Sequence, residues 1–418
     1  MYLRNNCYLV NGYHNSAIYD LNNRKVYSVN KSGRNLLEKY LKHDKIVEDK
    51  DDKEFIALLT KYGLVTENKD ESNNTDNINK VEPQLKYAWL EITGKCNLKC
   101  VHCYGQFGAN HVKNKDYLST EEWKIIIDTL IKNNCREIQL IGGEPMVHKD
   151  FYEILKYAYK KGMKRIDVFT NATLINEESI KIFKETNANV RISLYGSNQE
   201  THEKITKTKG SFNKTERALK LLRDNNIKTN IAVVIMKENE NNISEIREYI
   251  NLLGLEYSGY DVIRPSCVMN NQEHMVTNYD TIKSRYNVAP EFYTCEESFY
   301  SNHFYNSCWN GKIAITANGD IIPCIFARND IIGNVKDVSS LEKLKKNIIK
   351  KWSITKEEVM VCKDCEFRYC CHDCRPLAEG VAGNKKAKYP RCCYNPYDGE
   401  WMDIKECTKE VKIWKEKW

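Results

Sequence analysis

Three cysteines within eight residues, Cys96, Cys100 and Cys103, are the part of this sequence best equipped for chemistry. Their spacing lets one tight loop turn all three sulfurs inward. Three thiolates on a cubic four-iron–four-sulfur cluster leave one iron without a protein ligand, and a small molecule can chelate that iron. A zinc site needs a fourth ligand. His102 is adjacent, but it lies between two of the cysteines and would strain a tetrahedral shell. Disulfides are disfavoured, because nothing marks the chain for export. A chance cluster of cysteines is the plain alternative.

The triad must be held by something rigid. It closes an apolar run at 88–93, the first of six strand patterns; the others are 137–141, 165–170, 189–194, 227–235 and 256–263. Helical patterns alternate with them. Ser119 and Glu122 form a capping box for a helix carrying Ile126, Ile127, Leu130 and Ile131. Asp150 starts the next and Gly162 stops it; later helices carry Ile180 and Phe183, then Ala218, Leu219 and Leu222, then Ile246, Tyr249 and Ile250. Six such repeats predict an α/β fold, a parallel sheet curled into a partial (β/α)6 barrel. Chemistry in such barrels sits at the C-terminal strand ends. The cysteine triad, Gly142-Gly143-Glu144, Thr170-Asn171, Ser193 and Arg264 all fall on that rim.

Cys96, Cys100 and Cys103, followed after one helix and one strand by Gly142-Gly143-Glu144-Pro145, resemble the radical S-adenosylmethionine (SAM) enzymes. The resemblance implies that the open iron takes the amino and carboxylate groups of SAM's methionine. It places the Gly142, Gly143, Glu144 and Pro145 turn along the methionine amino group and His102 near adenine. Asn171 and Ser193 are carried over as contacts to the ribose and carboxylate. Each has a plainer alternative: Asn171 can simply start a turn, and Ser193 can simply satisfy backbone groups. The run 192–196, Thr201-His202-Glu203 and Gly210-Ser211-Phe212 also resemble the family, with His202 read as structural.

Beyond about residue 290 the alternation stops and cysteines concentrate. The pattern resembles the SPASM extension, which usually carries two auxiliary iron–sulfur clusters. That resemblance assigns Cys308, Cys324 and Cys374 to the first, with Cys295 as a further candidate. It assigns Cys362, Cys365, Cys371 and one of Cys392 or Cys393 to the second, Cys393 being the one carried forward. The family run C-x2-C-x5-C-x3-C is one residue short here, so Cys370 competes with Cys371. With the triad, three 4Fe-4S clusters are implied. A zinc knot is the alternative, since paired C-x2-C spacings also suit zinc. Cys7, Cys135, Cys267 and Cys407 fall outside the pattern and read as buried thiols, although Cys267 could face the cavity.

Residues 1–66 read as a separate unit of three strand-like runs (7–10, 17–20 and 25–29) and two helices. Ser32 is the expected cap of the first helix, which bears Leu36, Leu37, Tyr40 and Leu41. The second bears Phe55, Leu58, Leu59 and Tyr62 and stops at Gly63. This pattern resembles a winged-helix-like peptide-recognition domain that adds a leader peptide as an extra strand. Residues 67–86 read as a polar linker, 87–290 as the radical SAM partial barrel, and 291–418 as the SPASM domain.

The chain has 418 residues, 29% charged and 11% aromatic, which describes a folded rather than a disordered protein. Its +7 net charge is spread without a dense basic block, giving no reason to expect nucleic acid. No apolar run reaches membrane-spanning length and no signal-peptide core is present, so no membrane partner and a cytoplasmic location are expected. Seventeen cysteines in such a compartment favour metal or cluster ligation.

The combined expectation is a radical SAM peptide maturase. SAM is split reductively to a 5′-deoxyadenosyl radical, hydrogen is taken from a ribosomally made precursor peptide bound through its leader, and an intramolecular thioether forms. Flavodoxin or ferredoxin would supply electrons. Carbon–carbon cross-linking and sulfatase-maturase-like formylglycine formation are the enzymatic alternatives. A cysteine-stapled metal-binding interaction protein is the other.

Overall fold

The computed structural model describes residues 1–42, 49–71, 78, 80–107, 117–265, 271–285, 292–336 and 341–407. The chain forms two compact units. One comprises Met1–Glu82, Tyr286–Cys308 and Trp352–Trp418; the other comprises Pro83–Arg285 and Trp309–Lys351. The units change at 82–83 and 285–286, close to the boundaries expected at 86 and 290, but not at 66. Residues 1–66 share a unit with much of the cysteine-rich region, while 309–351 fold with the parallel sheet.

In the first unit, β1 (Tyr2–Leu3) precedes a three-stranded antiparallel meander of β2 (Cys7–Asn11), β3 (Ser16–Asp20) and β4 (Lys25–Val29). Asp20 shapes the last turn, accepting the Asn22 and Asn23 N–H groups at 3.1 Å each. Helix α1 (Lys31–Leu41) starts at Asn30, whose side chain accepts the Gly33 N–H at 2.9 Å. Ser32, the expected cap, is already inside the helix, and its hydroxyl donates to Asn30. Helix α2 (Lys50–Lys61) is capped by a reciprocal Asp49–Asp52 box. Leu58 and Tyr62 are 47% and 48% exposed, so its apolar face is narrower than the periodicity suggests. Gly63, at φ +67°, ends it and leads into β5 (Val65–Thr66), which pairs with β1.

The second unit is built on six parallel strands in sequence order: β6 (Tyr87–Thr93), β7 (Glu137–Gly142), β8 (Arg165–Thr170), β9 (Asn189–Ser193), β10 (Thr229–Ile235) and β11 (Glu256–Val262). Helices α3 (Thr120–Lys132), α4 (Phe151–Lys160), α5 (Glu177–Thr186), α6 (Gln199–Thr206), α7 (Ser211–Asp224) and α8 (Ile243–Leu252) lie between them, with the short α9 (Tyr279–Lys283) after β11. The Ser119–Glu122 capping box is present. Trp123, Ile127 and Leu130 on α3 are fully buried, each contributing about 1.5–3 kcal/mol. The second edge of β6 is taken by β12 (Lys312–Ile315), also parallel, which continues antiparallel into β13 (Asp320–Ile322) and β14 (Gly333–Asn334). This extension was not anticipated; Ile313-Ala314-Ile315 is too short a run to declare a strand by pattern alone.

The remaining elements are α10 (Glu296–Phe304), α11 (Leu341–Trp352), α12 (Arg375–Ala382) and a small hairpin of β15 (Tyr394–Asn395) and β16 (Glu400–Trp401). Tyr19 of β3 is fully buried with Phe299, Phe367, Tyr369 and Tyr394 in one core of the first unit. Its hydroxyl donates to the Glu366 carbonyl at 2.9 Å. The N-terminal sheet and the cysteine-rich segment are thereby packed together. Among the described residues, no helix is long and apolar enough to cross a membrane.

Candidate functional site

Strand β6 ends at Thr93 and hands the chain to the cysteine loop. The Gly143 N–H donates to the Thr93 carbonyl, and the Glu144 N–H to the Lys95 carbonyl, both at 2.9 Å. Only glycine permits this approach. Gly142 sits at φ +145°, and a Cβ there would lie 2.2 Å from the Thr93 oxygen. At Gly143 a Cβ would lie 2.2 Å from the Lys95 oxygen and 3.1 Å from the Cys96 Cβ. The β6–β7 register also shifts between Glu91 and Thr93, re-aiming the strand end beside the loop. Two motifs distant in sequence are thus one packed piece.

Glu144 is fully buried and joins a third strand end. Its carboxylate accepts from the Thr170 hydroxyl (2.7 Å), the Asn171 N–H (2.7 Å) and the Met146 N–H (3.1 Å). Burial outweighs these donors and lifts its pKa to about 7. The Asn171 amide donates to Asn97 at 2.9 Å and accepts from Thr173, while Asn97 donates to Thr173 at 2.8 Å. Asn171 therefore starts a turn and also ties the cysteine loop to β8. Its side chain, like that of Glu144, has protein partners. Pro145 is buried and opens a single turn of 3-10 helix.

The Cys96 sulfur accepts the Leu98 N–H at 3.4 Å, and the Cys103 sulfur accepts the Phe107 N–H at 3.2 Å. Burial raises all three thiol pKa values, that of Cys96 to about 11, and Cys100 is raised further by Cys96 and Cys103. An unliganded triad is therefore protonated at neutral pH, and a cationic iron centre is what would draw it into thiolate form. Among the described residues, no three His, Cys, Asp or Glu side chains close to single-ion spacing. A cubic cluster takes its thiolates at separate corners. Three mutually interacting thiols on one loop, two of them receiving N–H groups, fit such a group.

His102 packs edge-on to Tyr195, with ring centroids 4.6 Å apart. Among the described residues its Nδ1 is buried without a hydrogen-bond partner; burial, then His274, lowers its pKa to about 4, leaving a neutral imidazole. Tyr195, Ile205, Met236, Val262 and Ile263 form an apolar cluster against Cys100 and Val101. Ser193, at the end of β9, interacts with the Tyr195 hydroxyl. His202 is buried and accepts the Tyr195 N–H at 3.4 Å, a structural placement.

Sequence reasoning missed a polar cluster beside Cys103. Glu91 on β6 is fully buried; one carboxylate oxygen accepts from Arg328 at 2.6 Å and from the Tyr104 hydroxyl at 3.4 Å, while the other is buried without a partner among the described residues. Phe107 and Phe326 flank Tyr104, each 5.4 Å between centroids. Arg264 pairs with Asp261 at 2.7 Å and lies 4.9 Å from the Phe326 ring. A carboxylate inside the run Leu90-Glu91-Ile92 was the available signal; nothing in the sequence marked Arg328.

In the first unit, Cys365, Cys370, Cys371 and Cys392 all border one core. Cys371 is raised first by a hydrogen bond with Cys370 and then by burial, and it also feels Cys362. Cys365 is raised by burial, then by Cys371, and feels Cys362. Burial, opposed by Lys388 and aided by Cys371 and Cys362, lifts Cys392 to about 12. Cys393 points elsewhere: it is fully buried with Ile404 and Cys407, and its hydrogen bond with Cys407 is the main cause of its raised pKa. Cys370 donates to the Phe367 carbonyl at 3.2 Å. The structure thus brings together Cys362, Cys365, Cys371 and Cys392, and turns Cys393 away. Cys308 and Cys374 lie in this unit and Cys324 in the other. Cys295 begins α10 and approaches the Ser298 hydroxyl at 3.1 Å. Cys7, Cys135 and Cys407 are buried; Cys267 is outside the described residues.

A parallel α/β sheet with a three-cysteine loop and a glycine turn at its C-terminal rim defines a class, and residues 90–250 match the radical SAM superfamily. The chain carries a radical SAM enzyme domain, which implies a 4Fe-4S cluster and SAM. AlbA of Bacillus subtilis, an antilisterial bacteriocin subtilosin biosynthesis protein, is 29% identical over 275 residues, covering 60% of this chain and 58% of AlbA. The chain therefore spans less than two thirds of that relative. SuiB of Streptococcus suis, solved bound to S-adenosylmethionine, shares the fold: TM-score 0.57 at 14% identity, over 90% of this chain and 96% of SuiB. The AdoMet-dependent heme synthase of Nitratidesulfovibrio vulgaris is 25% identical over 347 residues, 75% of this chain and 94% of its own.

Proposed function

We propose that this enzyme matures a ribosomally made precursor peptide, recognised through its leader, and that its leading reaction is an intramolecular thioether link. A carbon–carbon cross-link is the nearest variant. The observation that carries this reading is the N-terminal antiparallel sheet, an element hydrogen abstraction does not itself need, packed into one core with the cysteine-rich segment. Such a sheet can accept a peptide as an added strand. Likeness to AlbA supports a peptide substrate; the heme synthase match covers more of this chain at lower identity, 25% against 29%.

Cys96, Cys100 and Cys103 would hold the first cluster. Cys362, Cys365, Cys371 and Cys392 would hold an auxiliary one, with Cys308, Cys324, Cys374 and Cys295 the candidates for another, making three. When bound, the first cluster and SAM supply a hydrogen-abstracting carbon radical, with flavodoxin or ferredoxin as electron source. The chain's own residues position and shield. Gly142 and Gly143 let the turn close on the cysteine loop, Glu144 and Asn171 lock β8 to it, and His102 with Tyr195 offers a neutral aromatic wall. Ser193 stands at the same rim. Tyr104, Phe107 and Phe326 form a further wall beside Cys103 that excludes water from a reactive intermediate.

Co-expression with short cysteine-bearing peptides encoded beside its own coding region, followed by mass spectrometry, tests the function. A loss of two hydrogens per event, with one cysteine no longer alkylated by iodoacetamide, is expected for a thioether. The same loss with every thiol still alkylated identifies carbon–carbon linkage. Unchanged peptides alongside vigorous SAM cleavage would overturn the peptide assignment.

A further inference from the structure

The C-terminal thiol set has a buried cation beside it. Lys356 is 6% exposed, and its Nζ lies 3.1 Å from Asp373 Oδ1 and 4.0 Å from the Cys362 sulfur. Its charge also acts on Cys371. Burying an ammonium is costly unless it is paired, and here the pairing is incomplete. Asp373 is itself buried and shared: Arg375, fully buried, donates to the same Oδ1, and the Asn306 amide donates to Oδ2 at 2.8 Å. The other Arg375 contacts are neutral, the Lys385 carbonyl at 2.6 Å and the Ala387 carbonyl at 2.9 Å. Among the described residues, the ion pairs of Lys356 and Arg375 both end on this one carboxylate. Two buried cations against one anion leave one positive charge over. The anionic groups that can balance it are the sulfurs of Cys362 and Cys371, as thiolates. The Lys356 ammonium also lies 5.4 Å from the Tyr389 ring, which supplements the pairing without neutralising it.

We propose that Lys356 is the built-in counter-charge of the cluster held by Cys362, Cys365, Cys371 and Cys392, donating to the Cys362 sulfur and favouring the state that has taken up an electron. The inference rests on the cluster assignment above. A four-thiolate iron–sulfur cluster becomes more negative by one unit when a one-electron donor reduces it. A fixed ammonium in a low-dielectric site stabilises that extra charge, and N–H donation to a ligand sulfur acts in the same direction. Lys356 is thus a positioning and tuning residue for electron acceptance. Its partner Asp373 sets where the ammonium stands.

The test uses the full chain, reconstituted anaerobically, with Cys96, Cys100 and Cys103 replaced by alanine to silence the first cluster. Reduced samples are titrated potentiometrically with dithionite and read by electron paramagnetic resonance, following the signal that Cys371→Ala loses. Lys356→Gln and Lys356→Met are each expected to lower the reduced-to-oxidised ratio at fixed potential about tenfold, a midpoint drop of about 59 mV for one electron. Lys356→Arg, which keeps the charge, should stay near the parent value. An unmoved midpoint in a neutral variant that retains the signal overturns the proposal while leaving the cluster assignment standing. No Cys371-dependent iron signal in the parent, for example because zinc is bound, overturns both. If both neutral variants fold but lose the signal, rescue by Lys356→Arg supports the counter-charge and failure of that rescue overturns it.

Discussion

Gly143→Ala isolates the closest contact in the site. Gly143 has an ordinary backbone conformation, so space alone excludes a side chain there. The new Cβ would stand 2.2 Å from the Lys95 carbonyl oxygen and 2.7 Å from its carbon, both backbone atoms without a rotamer to change. Lys95 must retreat by about 1 Å, which costs about 1–3 kcal/mol as overpacking. The Glu144 N–H bond to that carbonyl, now 2.9 Å, is strained or lost for about 1 kcal/mol more. Stiffening of the unfolded chain offsets up to about 1 kcal/mol. A net loss of about 1–4 kcal/mol is expected, concentrated where Lys95 precedes Cys96. Urea denaturation gives the global figure; iron content and 5′-deoxyadenosine release report on the loop. Gly162→Ala is the control: it sits at φ +87° with nothing within 4 Å, so it should cost about 1 kcal/mol and leave iron and SAM cleavage unchanged. If Gly143→Ala binds iron and cleaves SAM like the parent protein, the two motifs are not packed as described, and the account of the site fails.

Further outcomes follow from the buried charges and thiols. Glu144, with a folded pKa of about 7 against an ordinary 4.5, holds its proton where the unfolded chain has released it. Its contribution is present below about pH 4.5 and is lost as pH rises through 7, by roughly 3 kcal/mol; denaturation profiles of Glu144→Gln should lack that slope. Arg328→Leu strands the Glu91 carboxylate and should cost about 3–5 kcal/mol. Adding Glu91→Gln should recover much of the loss, and strictly additive effects in that double-mutant cycle would argue against the pair. Cys392→Ala should lower bound iron, whereas Cys393→Ala should keep it and lose about 1 kcal/mol of stability from the core around Cys407. The opposite pattern of iron loss would restore Cys393 as the ligand.

How far the sequence carried the site depends on how local each signal is. The cysteine spacing, the glycine turn and the six-fold alternation are short-range patterns, and the parallel strands fall where their apolar runs predict. Helix starts are less secure. Asn30 and Ser32 both suit a cap, and the choice fell to Asn30 because its side chain reaches the Gly33 N–H. Exposure is less secure still, because Leu58 and Tyr62 have helical periodicity but little to pack against.

The residue types alone determined the chemistry on offer, since thiol number and spacing fix what a loop can ligate and glycine fixes how closely two turns can meet. Tertiary structure decided which groups share a neighbourhood. Adjacent residues on an extended segment point to opposite sides, so Cys392 meets Cys371 while Cys393 meets Cys407. Glu91 and Arg328, 237 residues apart, were brought together by a strand and a loop far apart in the chain. Long-range pairing of this kind is settled by packing and charge compensation over the whole fold, which no local window of sequence contains.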